Sequence, residues 1–155
     1  MQIIRFFLIY SCILLLASCN QNESAKNSQM ALIKTTNPSP VVTNKGVKRN
    51  HVEAIKKDVS SYPHIYDVAV VKGKKDTLVA YKVKHLHRFR MKKIEVDVTK
   101  MLEKKYPKED FTVSSDYKIF LEAVRLDEKI KNTKMTPKKA EKSLEGLVKM
   151  TKDIK

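Results

Sequence analysis

The sequence predicts an α+β domain: a small α-β-β-α-β-α unit with a three-stranded sheet and helices packed on it. Two β-branched, aromatic-rich runs flank a turn, and several further stretches repeat apolar residues at helical spacing. The 155 residues are 42% hydrophobic and 32% charged, which suits one domain with a modest core. Only 3 Gly, 5 Pro and no Trp exclude collagen-like, Gly-rich and propeller architectures.

Asn50 is placed to cap a first helix with Glu53 as its partner in an Asn version of the capping box. Val52, Ile55 and Val59 give that helix an apolar face, and Tyr62-Pro63 ends it. Ile65 to Val71 and Leu78 to Lys84 read as strands joined by Lys72-Gly73-Lys74-Lys75-Asp76-Thr77, the clearest hairpin in the chain. Ile94, Val98, Met101 and Leu102 form the stripe of a second helix that ends near Tyr106-Pro107. Phe111 to Val113 makes a short third strand. Asp116 can then cap a helix whose apolar side is Ile119, Phe120, Ala123, Val124, Leu126 and Ile130. Thr136-Pro137 has the chemistry of a cap followed by Pro at the first helical position, and opens a Lys-rich amphipathic helix over 132–155. Its narrow seam is Ala140, Leu144, Leu147, Thr151 and Ile154. No internal repeat is visible.

The first residues carry a different signal. Arg5 precedes a 12-residue apolar run, Phe6 to Ala17, too short for the roughly 20 residues that a spanning helix needs. The run closes in Leu16-Ala17-Ser18-Cys19, which resembles a bacterial lipobox. Small side chains admit a signal peptidase between Ser18 and Cys19, and the Cys19 thiol takes a diacylglyceryl group. An ordinary signal peptide that happens to contain a cysteine is the alternative; the polar run after Cys19 favours the lipobox. The other cysteine, Cys12, lies inside the apolar run, so no disulfide or Cys-based metal site is available beyond residue 19. The expected organisation is a cleaved lipoprotein signal peptide over 1–18, a lipidated N-terminus and flexible linker over 19–50, the α+β domain over 51–131, and the basic helix over 132–155. The linker is rich in Asn, Gln, Ser, Thr and Lys, and as a flexible chain would reach about 30 Å. An acylated N-terminus places the protein on the extracytoplasmic face of a cell membrane.

Catalytic chemistry is sparse. His85 and His87 are two apart at the expected end of a strand, with His64 as a third candidate, and could hold a metal weakly. Against that, the segment reads as a basic loop, and a zinc site wants at least three protein ligands. Ser114-Ser115-Asp116 reads as a strand end followed by a helix cap. Asp58, Glu95, Asp97 and Glu103 alternate with Lys as on a solvated helix face. No nucleophile-elbow, phosphate-loop, dinucleotide, zincin or EF-hand motif is present. The expectation is a protein that is not an enzyme, with no catalytic residues, no resident metal and no cofactor.

Lys and Arg number 32 against 17 acids, a net charge of +15. The excess divides into +1 over 1–19, +4 over 20–50, +5 over 51–130 and +5 over 131–155. Aromatic residues are not interleaved with the cations as a base-stacking platform requires, so nucleic acid is not an expected partner. Lys138, Lys139, Lys142, Lys149 and Lys152 are the candidate contacts to an anionic surface, whether lipid headgroups or wall polymers. Simple solvation by these lysines is the plain alternative. A second alternative makes the chain a protein-interaction module, with Leu144, Leu147 and Ile154 docking on a partner helix.

Leu78-Val79-Ala80-Tyr81-Lys82-Val83, the Lys-rich helix that follows, and Phe111-Thr112-Val113-Ser114-Ser115-Asp116 with its helix together resemble the YhcN/YlaJ family of sporulation lipoproteins from spore-forming Firmicutes. The likeness covers roughly residues 50–131. Ser115 stands where the family tends to have Ala, and Tyr117 where it tends to have Pro. The α-β-β-α-β order is also similar to the BON domain, a module of envelope attachment. The family resemblance implies a lipoprotein of the spore membrane or forespore with a part in germination or outgrowth, other envelope or spore proteins as partners, and no catalytic residues to carry over.

Overall fold

In the computed structural model, residues 37–43, 46, 48–132 and 135–154 are described. The apolar run, Ser18 and Cys19 lie outside them. The described elements are β1 (Val41–Val42), α1 (Arg49–Ser60), β2 (Ile65–Lys72), β3 (Asp76–Val83), a 3-10 helix (His85–Arg90), α2 (Met91–Lys105), β4 (Asp110–Ser114), α3 (Tyr117–Asn132) and α4 (Pro137–Ile154). The class is α+β, as the sequence predicts.

The sheet has four strands rather than three, in the order β1-β2-β3-β4. β2 and β3 pair antiparallel, with Val70 opposite Val79 and Val68 opposite Tyr81. Each carries a parallel partner on its outer edge: Val41 sits opposite Val71, and Ala80 opposite Ser114. Parallel neighbours need a crossover, and here helices supply it. The chain therefore makes β-α-β twice, β1-α1-β2 and β3-α2-β4, joined by the hairpin. The arrangement recurs without a recurring sequence.

The two central strands are buried on both faces. Val68, Val70, Val79, Tyr81 and Val83 turn to one side, where Val52, Ile55 and Val59 of α1 and Ile94, Val98 and Leu102 of α2 cover them. Ala69, Val71, Leu78 and Ala80 turn to the other, where Ile119, Phe120, Ala123 and Val124 of α3 and Leu144, Leu147 and Val148 of α4 close over them. Burial on two faces explains why Val68-Ala69-Val70-Val71 and Leu78-Val79-Ala80-Tyr81 read as continuous apolar runs rather than alternating ones.

Three expectations are corrected. The linker does not extend to residue 50: Val41 is buried, the Thr43 N–H donates to the Lys72 carbonyl at 3.0 Å, and the Thr43 hydroxyl donates to Glu141. Its approach is held by Asn37, whose φ of 52° lies in the left-handed region that Asn tolerates. The Asn37 N–H donates to Asp67 Oδ1 at 3.1 Å, and Lys56 Nζ donates to Asn37 Oδ1 and to the Pro38 carbonyl at 2.6 and 2.5 Å. Next, Asn50 does not cap α1. The helix starts at Arg49 behind Lys48, with no side-chain cap, so the Asn50–Glu53 box lies inside the helix. Finally, Ile154 is half exposed and leaves the α4 seam, while Leu144, Leu147 and Val148 pack on the chain's own core.

The other two caps form as expected. Asp116 Oδ1 accepts from the N–H groups of Lys118 and Ile119 at 2.7 and 3.1 Å, and Thr136 Oγ1 accepts from that of Lys139 at 3.4 Å. At the hairpin, Gly73 lies close beneath α4: a Cβ there would stand 2.6 Å from Leu144 Cδ2 and 2.7 Å from Glu141 Oε1, so a larger residue would have to displace these two side chains.

Asp116→Ala should therefore cost about 1 kcal/mol of unfolding free energy in urea titration. Leu144→Ala, which opens a cavity between α4 and the sheet, should cost about 2–5 kcal/mol.

Candidate functional site

α4 is amphipathic in a way that separates two jobs. Its apolar side is fixed on the core, so the opposite side must face water. Lys138, Lys142, Glu145, Lys149 and Lys152 recur at spacings of four, three, four and three, which aligns them in one outward stripe. Lys139 stands beside it, and all five lysines are exposed. At the helix start this stripe borders an open groove lined by Thr43, Lys74, Lys138, Glu141, Lys142 and Glu145. Glu141 is engaged there: Oε2 accepts from Thr43 Oγ1 at 2.6 Å and Oε1 from the Lys74 N–H at 2.9 Å, which ties α4 to β1 and to the hairpin turn. Lys74, Lys138 and Lys142 give the groove its cationic side.

A second polar cluster lies across the opposite layer. Glu109, just before β4, pairs with His51 Nε2 of α1 through Oε1. Its Oε2 accepts from Lys72 Nζ at 2.7 Å and Thr77 Oγ1 at 3.0 Å, and Lys72 Nζ also reaches Thr77 Oγ1 at 3.2 Å. The Lys72 and Glu109 side chains are each 13% exposed. Burial would push the Glu109 carboxyl up, but hydrogen bonds from Lys72, His51 and Thr77, with the Lys72 charge, outweigh it and hold the group below the usual carboxylate range. A carboxylate kept anionic by three donors is a clamp between elements and a poor proton carrier near neutrality. Asp58 acts similarly between helices, accepting from Lys105 Nζ and the Tyr106 hydroxyl, each at 2.5 Å. It therefore belongs to a helix–helix contact and not to the solvated face that its spacing suggests.

At the bulged start of β2, Lys82 Nζ lies 3.3 Å from the buried Asp67 Oδ2. The ammonium is 4.3 Å from the Phe120 ring centroid, 5.6 Å from that of Tyr117 and 5.7 Å from that of Tyr66. Carboxylate and rings together compensate a cation that is almost out of water.

The candidate metal pair is rearranged. His85 and His87 are in the 3-10 helix after β3 rather than at a strand end. It is His64 that meets His87, with ring centroids 4.0 Å apart. Desolvation, followed by the neighbouring His87, Arg90 and Lys84 charges, lowers the His64 pKa and works against a second cation there. Among the described residues, no group of three or more His, Cys, Asp or Glu is placed to hold a metal. Ser114 Oγ accepts from the Asp116 N–H at 3.2 Å, so Ser114 and Asp116 serve the start of α3.

Searches against protein-family models, curated proteins and solved structures find no match to the chain. Among the described residues, no helix is long and apolar enough to cross a membrane. All five α4 lysines are exposed, and Lys138, Lys142, Lys149 and Lys152 lie along the outward stripe with Lys139 beside it. The Glu109 cluster was not visible in sequence, because Lys108-Glu109-Asp110 has the look of a solvated turn.

Glu109 stabilises the fold at pH values above the ordinary carboxylate range, and this contribution is lost as pH falls through its lowered folded value. Glu109→Gln should be less stable than wild type at pH 7 by about 1–3 kcal/mol. In urea titrations repeated across pH, that gap should close as the wild-type carboxylate is protonated in acid.

Proposed function

We propose that the chain is a non-enzymatic lipoprotein of the cell envelope, anchored by a diacylglyceryl group on Cys19, whose α+β domain works against anionic lipid headgroups or wall polymers. The observation that carries this reading is Leu16-Ala17-Ser18-Cys19 closing a short apolar run behind Arg5. A thiol nucleophile preceded by small residues is what lipid transfer and cleavage require. The exposed lysine stripe of α4 supports the second half, since each Lys near an anionic surface contributes about 1 kcal/mol. The polar clusters add weight to a non-catalytic role, because Glu109, Asp58 and Asp67 are all engaged in holding elements together.

The resemblance of Leu78 to Val83 and Phe111 to Asp116 to sporulation lipoproteins supports a role at the spore membrane or forespore, in germination or outgrowth. Docking of a partner helix on Leu144 and Leu147 is the weaker reading, because those side chains are committed to the chain's own core.

Metabolic labelling of host cells with a fatty-acid probe tests the anchor. The wild-type chain should take up label and partition with membranes, and Cys19→Ala should lose both. A Cys19→Ala chain that still incorporates label would overturn the reading.

A further inference from the structure

The 3-10 helix between β3 and α2 exposes two large apolar side chains side by side. Leu86 is 80% and Phe89 85% exposed, the highest values among the exposed large hydrophobics of the described chain. They are three residues apart, and at three residues per turn a 3-10 helix places such a pair on the same edge. The flanking positions are cationic: Lys84, Arg88, Arg90, Lys92 and Lys93 lie within ten residues that contain no acid. All five are exposed, and among the described residues none has an ion-pair partner.

The segment is held firmly at its base. The Lys84 N–H donates to the His64 carbonyl at 2.8 Å, the His87 N–H to the Lys84 carbonyl at 2.8 Å, and the His64 and His87 rings meet at a tilt of 41°. Met91 packs into the core below. Leu86 and Phe89 are therefore presented by an ordered turn. Lys92 and Lys93 occupy the first turn of α2, which has no acid and whose positive dipole end repels them. An anionic surface outside the chain would relieve that repulsion.

We propose that this turn is the face by which the domain lies on an anionic lipid bilayer, with Leu86 and Phe89 entering the headgroup boundary and the five cations resting on phosphates. Apolar tips ringed by Lys and Arg are the combination that binds such an interface. The α4 stripe differs: it is interrupted by Glu145 and presents no comparable pair of apolar tips. The proposal rests on the envelope reading above and specifies which surface meets the lipid.

The chain has no tryptophan, so Phe89→Trp creates a single reporter in the full-length protein, and Leu86→Trp a second. Each is reconstituted into phosphatidylcholine vesicles and into vesicles containing about 30 mol% phosphatidylglycerol. The expected result is a blue-shifted emission, quenched by brominated lipid, only in the anionic vesicles. Neutralising Arg88, Arg90 and Lys93 to Gln in the Phe89→Trp chain should weaken this insertion about fivefold per charge. Emission that stays water-exposed on anionic vesicles for both reporters would overturn the proposal. So would an equal shift on neutral vesicles, or a shift produced by a soluble glycerophosphate polymer or by self-association without lipid. Fatty-acid labelling reports the Cys19 anchor separately, so failure of the anchor and failure of the turn are distinguishable.

Discussion

The structure depends on a hairpin whose two strands are apolar on both faces. Val68 to Val71 and Leu78 to Tyr81 are all buried, and neither side of such a ribbon can be left to water, since exposed apolar surface costs about 25 cal/mol per Å². The ribbon therefore needs two covers. α1 and α2 supply one as crossovers to parallel strands; α3 and α4, which follow the last strand, supply the other. α4 is thus part of the core rather than an appendage. The same demand draws in Val41 and Val42, which pair with the open edge of β2.

The polar interior follows from this layering. Where helices meet the sheet edges, backbone and side-chain polar groups leave water and must find partners. Glu109 joins α1, β2 and β3; Asp58 joins α1 to the end of α2; Asp67 links the entry of β1 to Lys82. These carboxylates are spent on architecture. Among the described residues, exposed cations gather on the outer stripe of α4 and on the turn after β3, the two surfaces on which the proposed role at an anionic envelope rests.

Much of the fold was legible in the sequence because its signals are local. The stripe Val52, Ile55, Val59, the hairpin around Gly73, and the caps at Asp116 and Thr136 each lie within a few residues, and each forms. β1 was not legible: two residues have no period, and its stability comes from β2, Asn37 and Lys56. Asn50 was misplaced because a cap read from composition does not fix the residue at which the helix starts. The seam of α4 was read correctly at Ala140, Leu144, Leu147 and Thr151 but not at Ile154, and an apolar stripe looks the same whether it meets a partner, a lipid or its own core. On α4, the exposure of the lysines was legible because they flank the apolar seam of an amphipathic helix. Leu86 and Phe89 were not, because His85 to Arg90 reads as a basic loop, and a spacing of three aligns side chains only where the segment is helical.

The central claim, that α4 is one of two obligatory covers of the hairpin, is tested most directly by native-state hydrogen exchange. Amides of Val70, Val79 and Ala80 should exchange only through global unfolding, and those of Leu144, Leu147 and Val148 should share that free energy and its denaturant dependence. Exchange of the α4 amides through a separate opening at much lower free energy, with the strand amides still protected, would contradict it.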